Sequence, residues 1–344
     1  MAGTKRALLT GITGEIGSVL YEFLLGKGYE VHGIVRNPAS VTQYVYHKIF
    51  QNAILHTGDL QDAARLKEIV EEVQPHEIYN LAAETQVAAS WQQPIGVMEA
   101  NFMGLIRLLD AIASTKRASE IRLLHAGSSE MYGQVEVLPI NESTSIAPRT
   151  PYATSKAAGF WIIKNYRTHL GLFAANAILF NQECPRRGTA FSTYQMTLGA
   201  SQVVLGKRSH IEVANLELTR DWGHAEDCVE CLWLILQAEE ADDYIISSGT
   251  GHTVRQFLEA SFAALDHKIT WSGQGVDEVG RSSKTGEVVV RIDPHGYANR
   301  SQSNNQVGDS SKARRVLGWR ANKTFQDTVT EMTLAACERE KVKL

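Results

Sequence analysis

The chain has 344 residues, with 34 Lys and Arg against 38 Asp and Glu, 44% hydrophobic residues and 8% aromatic ones. At roughly 150 residues per domain this is one large domain or two unequal ones, long enough to bury a core without disulfide or metal staples. The net charge of −4 argues against a broad nucleic-acid-binding face, and no apolar run approaches the roughly 20 residues of a membrane span. The first apolar run, Ala7-Leu8-Leu9, is too short for a secretory signal. Four cysteines without a disulfide spacing suit reduced thiols, so a cytoplasmic protein is expected. Cys228 and Cys231 have a metal-like spacing but lack a second pair, and no metal site is expected.

The first half alternates short apolar strands with amphipathic helices. Ala7 to Thr10 reads as a strand, Ile16 to Lys27 as a helix, and Glu30 to Val35 as a second strand. Strands are predicted again at Ala53 to His56, Glu77 to Ala82, Ile121 to Ala126 and Phe173 to Leu179. Helices fall between them at Asp62 to Glu72, Val97 to Ser114 and Tyr152 to Leu170. Such alternation predicts an α/β fold, a Rossmann-type doubly wound parallel sheet that binds ligands at the carboxyl ends of its strands. Beyond about residue 180 the pattern loosens into polar loops. The predicted division is therefore a dinucleotide-binding part over 1–180, rejoined by 221–250, and a smaller α/β substrate lobe made of 181–220 and 251–344.

Thr10-Gly11-Ile12-Thr13-Gly14-Glu15-Ile16-Gly17 follows a strand and opens a helix. Glycines there let the backbone approach a pyrophosphate, and the helix N-terminus offers free N–H groups. The second strand ends in Val35-Arg36-Asn37-Pro38, without the acid that binds the ribose hydroxyls of NAD. Arg36 suits a 2′-phosphate instead, so the expected cofactor is NADP. Asp59 suits either an adenine amine or the cap of the next helix.

Tyr152-Ala153-Thr154-Ser155-Lys156 is a Y-x-x-x-K pair, which a helix places on one face. A phenol titrates near pH 10, so a base role for Tyr152 needs help, expected here from Lys156. The Ser-rich strand end Gly127-Ser128-Ser129 lies 24 residues before the tyrosine.

With these segments in view, the chain resembles the extended short-chain dehydrogenase/reductase superfamily over nearly its whole length. Within it the chain is most similar to the GDP-mannose 4,6-dehydratase family. The similarity is carried by Thr10 to Gly17, His32 to Arg36, Glu77 to Leu81, Ser128-Ser129-Glu130-Met131-Tyr132-Gly133 and Pro151 to Lys156. Later segments add Leu179 to Gly188, Arg220-Asp221-Trp222-Gly223-His224-Ala225-Glu226-Asp227 and Glu278-Val279-Gly280-Arg281. The resemblance implies that Tyr152, with Ser128 and Lys156, takes the proton of a sugar 4-hydroxyl while hydride passes to NADP. Glu130 then removes the C5 proton and assists loss of water from C6. It also implies cofactor contacts from Gly11, Thr13, Gly14, Glu15, Ile16, Gly17, Arg36, Asp59, Leu60, Leu81, Ala82, Ala83, Leu179, Asn181, Gln182 and Arg187, beside Tyr152 and Lys156. For a nucleotide-diphosphate sugar it implies contacts from Glu84, Ser129, Asn181, Gln195, Arg220, Arg281 and Arg300, with Arg220 and Arg281 clamping the diphosphate.

The chain departs from that family on the substrate side. Tyr194 and Gln195 stand where the family carries Arg-Lys. Ala298 to Ser303 replaces the Arg-Pro-x-Glu segment that holds the nucleotide ribose, and Ala82-Ala83-Glu84-Thr85-Gln86 replaces Gly-Ala-Gln-Ser-His. A different sugar or nucleobase stays open, as does a C4 epimerase or 4-ketoreductase of the same superfamily, for which Glu130 is incidental. A cofactor-bound scaffold without turnover is the remaining alternative. The resemblance further implies a homodimer or homotetramer paired through the helices Val97 to Ser114 and Tyr152 to Leu170.

Overall fold

A computed structural model describes residues 3–43, 46–298 and 305–342. The elements run β1 (Arg6–Thr10), α1 (Glu15–Gly26), β2 (Glu30–Val35), β3 (Ile54–Thr57), α2 (Ala63–Val73), β4 (Glu77–Asn80), α3 (Pro94–Met98), α4 (Gly104–Ala113), β5 (Arg122–Ser128), α5 (Pro151–Leu170) and β6 (Phe173–Leu179). They continue with β7 (Asn181–Glu183), α6 (Ser192–Val204), β8 (Ile211–Val213), β9 (Thr219–Arg220), β10 (Trp222–His224), α7 (Ala225–Gln237), β11 (Asp243–Ile246) and β12 (His252–Thr253). Last come α8 (Val254–Ala263), β13 (Ile269–Ser272), β14 (Val279–Ser282), β15 (Val288–Ile292), α9 (Pro294–Ala298), α10 (Ser311–Leu317) and α11 (Phe325–Val342).

The predicted doubly wound sheet is present. Seven parallel strands lie in the order β11-β6-β5-β4-β1-β2-β3. One face packs under α1 and α7 through Leu20, Leu24, Leu232 and Leu236, and the other under α2 and α4 through Leu66, Ile69, Leu105 and Leu109. Burial on both faces is why these strands are nearly continuous apolar runs. The smaller lobe has a four-stranded sheet, β13-β14-β15-β8, packed on α6, α8 and α11 through Met196, Phe257, Val290 and Met332. Among the described residues no helix is long and apolar enough to cross a membrane.

Three differences from the sequence reading have identifiable causes. Strand β4 stops at Asn80 rather than Ala82, because Thr10 Oγ1 accepts from the N–H groups of Leu81 and Ala82, both at 3.1 Å. The helix predicted over Val97 to Ser114 is interrupted by a π-helical turn, Glu99–Met103, between α3 and α4. That turn aims the buried Asn101 amide at Glu84 N and O (2.8 and 3.0 Å) and Ser155 Oγ (3.0 Å). Finally, α10 and Trp319 follow the smaller lobe in sequence but pack on the seven-stranded part. Ala313 and Trp319 join its core, and Trp319 Nε1 donates to the Asp227 carbonyl at 2.9 Å.

Candidate active site

The carboxyl ends of β1, β4, β5 and β6 meet the glycine turn and the first turn of α5. Gly11 has φ +70°, and a Cβ on it would lie 2.7 Å from Ala82 N. A Cβ on Gly17 would lie 2.1 Å from the Gly11 carbonyl oxygen, so only glycine lets α1 start this close to the strand ends. Gly14 caps α1 without a side-chain bond, leaving N–H groups of its first turn for a ligand. Thr13 offers its carbonyl to the Tyr46 hydroxyl at 2.8 Å, and Ile16 is half-buried.

Arg36 is exposed at the end of β2. It shares an open cleft of about 560 Å³ with Leu55, Thr57, Gly58, Asp59, Asp62 and Arg65. Asp62, not Asp59, caps α2 by accepting from Arg65 N at 3.0 Å; Asp59 accepts from Gln61 N within its own turn. Leu60 is a core residue wedged against Gly104. Leu81, Ala82 and Ala83 are half-buried and Glu84 is exposed, its backbone fixed by Asn101.

Thr150 caps α5 through the Ala153 N–H (3.1 Å) and Pro151 follows at a position where a missing donor costs nothing, so Tyr152 and Lys156 rise from a rigid first turn. Tyr152 is 8% exposed. Burial, with Glu130 adding, pushes its phenol above the ordinary value of 10, while a hydrogen bond with Ser128 and the Arg187 charge oppose that. Lys156 Nζ donates to the Ala126 carbonyl at 2.7 Å, and burial lowers its pKa to about 8, so it stays mostly protonated at neutral pH. Glu130 is half-buried and close enough to Arg220 and Tyr152 to shift both: burial lowers the Arg220 pKa and Glu130 restores part of it.

The other expected residues are placed less uniformly. Asn181 opens β7 and Leu179 closes β6, both half-buried. Gln182 is buried against Gly223 and donates to the Ile246 carbonyl at 3.1 Å. Ser129 donates to Gln306 Oε1 at 2.8 Å, a tie within the protein. Arg281 is exposed on β14 and bonded to the Gly286 carbonyl of its own hairpin. Gln195 is exposed and donates to the Thr189 carbonyl at 2.7 Å. Arg300 lies outside the described residues. Arg187 is held by two acids, Glu15 at 2.6 Å and Glu183 at 3.2 Å.

Four supporting residues had no role in the sequence reading: Thr10, Asn101, Gln306 and Asp221. Asp221 is fully buried and accepts from Ser248 N and Oγ, Gly249 N and Gly308 N, at 2.7 to 3.2 Å. Its place in Arg220-Asp221-Trp222 was the available signal, since an acid inside an apolar stretch is buried only with partners. Among the described residues no three His, Cys, Asp or Glu side chains gather to hold a metal.

This sheet order, glycine turn and Tyr–Lys pair define a short-chain dehydrogenase/reductase of the extended type. A family model described as GDP-mannose 4,6 dehydratase matches residues 8–332. The GDP-mannose 4,6 dehydratase of Drosophila melanogaster is 43% identical over 342 residues, 97% of this chain and 86% of the relative. That of Vibrio cholerae is 42% identical over 348 residues, 96% and 93% of the two chains. The solved UDP-glucose 4-epimerase of Thermotoga maritima shares the fold, with a TM-score of 0.80 at 20% identity over 98% of this chain and 99% of its own. The chain belongs to the GDP-mannose 4,6 dehydratase family.

Proposed function

We propose that the protein is an NADP-dependent lyase, a nucleotide-sugar 4,6-dehydratase. It converts GDP-mannose, or a related GDP-sugar, to the 4-keto-6-deoxy sugar in the cytoplasm. The observation that carries this reading is Glu130, a carboxylate within electrostatic reach of both the Tyr152 phenol and the Arg220 guanidinium. An epimerase or ketoreductase needs the tyrosine but not that acid.

The glycine turn fits a nicotinamide dinucleotide: it is a cradle that a Cβ at Gly11 or Gly17 would fill, under a helix N-terminus with free N–H groups. Arg36, with no acid at the end of β2, favours a 2′-phosphate and hence NADP. When bound, the dinucleotide supplies a temporary acceptor for the hydride of substrate C4 and returns it to C6.

The protein's own residues handle the protons. Tyr152 Oη, as a phenolate favoured by the Ser128 hydroxyl and by the Lys156 ammonium against the push of burial, accepts the proton of the 4-hydroxyl. The resulting ketone acidifies the C5 hydrogen. The Glu130 carboxylate takes that proton and gives it to the departing 6-hydroxyl, so one carboxyl serves as base and then acid and one water leaves; Tyr152 then returns the proton it took from the 4-hydroxyl to C5, which restores the phenolate. Arg220 holds the diphosphate beside them, with Asn181 at the sugar end; Arg281, exposed on β14, has to leave the Gly286 carbonyl of its own hairpin to join the clamp.

The test is incubation of the purified protein with GDP-mannose and other nucleotide sugars, without added reductant, followed by mass analysis. Loss of one water supports the reading; an isobaric product supports an epimerase and overturns it. Glu130→Gln is expected to bind substrate and stall before elimination. Dehydration at the parent rate would remove Glu130 from the mechanism.

A further inference from the structure

Glu15 occupies the first residue of α1, at the positive end of the helix and inside the glycine turn. A carboxylate there stabilises the helix but opposes an anionic ligand, which wants the same N–H groups and the same partial charge. Glu15 is nearly buried, at 8% side-chain exposure, so water screens it little. Its Oε2 meets Arg187 Nη1 at 2.6 Å, across 172 residues of sequence, and the Cys184 thiol lies within hydrogen-bonding reach of the carboxylate.

Arg187 is held from several sides. Its guanidinium lies over the Phe191 ring at 3.8 Å, its Nη1 also donates to the Gln182 carbonyl at 3.3 Å, and its Nε lies 3.2 Å from Glu183 Oε2. Glu183 is fully buried and accepts from Thr193 Oγ1 at 2.7 Å. The arginine therefore bridges the glycine turn to β7 and α6.

We infer that Arg187 is the built-in counter-ion of Glu15: by cancelling that carboxylate it makes the glycine turn acceptable to a diphosphate, as a positioning residue that need not touch the dinucleotide itself. The inference rests on the dinucleotide reading above and changes the role of Arg187 within it. Glu183 keeps the guanidinium in place. Burial raises the Glu183 pKa from 4.5 to about 7, against the pull of Arg187 and Thr193 and with the push of Glu15, so Glu183 competes less for the Arg187 charge as pH falls. The other charged or titratable neighbours are Cys184 and Cys228, both held as thiols by burial with Glu15 adding, Arg186 beside Cys184, and the Tyr152 phenol across the site.

Binding of NADPH, followed by calorimetry at pH 6.5, tests this with three variants whose folding is checked by circular dichroism. Arg187→Met, which leaves Glu15 as an uncompensated anion, is expected to weaken NADPH binding at least tenfold. Glu15→Gln is expected to bind as tightly as the parent or more so. The double variant Arg187→Met/Glu15→Gln is expected to recover to within threefold of the parent. A double variant as weak as Arg187→Met overturns the inference, because the arginine then contacts the ligand directly. A tenfold loss in Glu15→Gln also overturns it, because the carboxylate is then itself a ligand contact. Should Arg187→Met fail to fold, the other two variants decide alone. A parent protein that does not bind NADPH overturns the dinucleotide reading, and this inference with it.

Discussion

Replacing Glu183 by Gln isolates one buried charge. The carboxyl is fully buried, and burial is the largest influence on it, raising its pKa from 4.5 to about 7. Arg187 counteracts this only partly because Nε, though 3.2 Å away, is not aligned for a hydrogen bond. Between pH 4.5 and 7 the folded protein keeps a proton that the unfolded chain has released, so this group lowers stability as pH rises through that window. Above pH 7 the cost is complete, at about 3 kcal/mol for a shift of this size. The Glu183→Gln side chain has no proton to lose in this range while keeping an oxygen for Thr193. The variant's stability relative to the parent should therefore rise with pH, by up to about 3 kcal/mol between pH 4.5 and 8. Urea unfolding midpoints of both proteins at pH 5, 6, 7 and 8 give the comparison. A difference that stays flat with pH would refute the reasoning, for it would mean that Arg187 keeps Glu183 ionised throughout.

Arg36→Asp should move the dinucleotide preference from NADP toward NAD, read as the ratio of the two dissociation constants; an unchanged ratio would place the 2′-phosphate elsewhere. Gly17→Ala drives a methyl against the Gly11 carbonyl and should cost about 3 kcal/mol or more together with dinucleotide binding. Its control, Gly26→Ala at the open end of α1, should be neutral or slightly stabilising in thermal melts, and equal melting of the two variants would contradict the packing argument. Trp161 on α5 is 52% exposed, and Ile95 on α3, a helix that packs against α5, is 79% exposed. If these helices pair subunits, Trp161→Glu should shift the protein to monomer in size-exclusion chromatography, and an unchanged elution would exclude that face.

Much of the fold was readable because it depends on local pattern. Apolar runs mark β1, β2, β5 and β6, and the glycine spacing marks the turn whose steric need Gly11 and Gly17 display. The Tyr152–Lys156 pair needed only helical periodicity. What escaped depends on partners distant in sequence. Nothing near Ser129 announces Gln306, 177 residues away, and nothing near Lys156 announces that its ammonium answers the Ala126 carbonyl. The π-helical turn at Asn101 likewise breaks a periodic pattern for the sake of Glu84 and Ser155. Paired charges such as Glu15 and Arg187 are visible as letters but not as a pair.

The Asp221 carboxylate gathers the amides of Ser248, Gly249 and Gly308 onto one anchor next to Arg220. Those stretches cannot swing outward separately, since freeing either would strand donors and acceptors in a dry interior. Transplanting substrate preference between relatives by grafting a single loop is thus bound to disappoint; the knot around this aspartate has to travel whole.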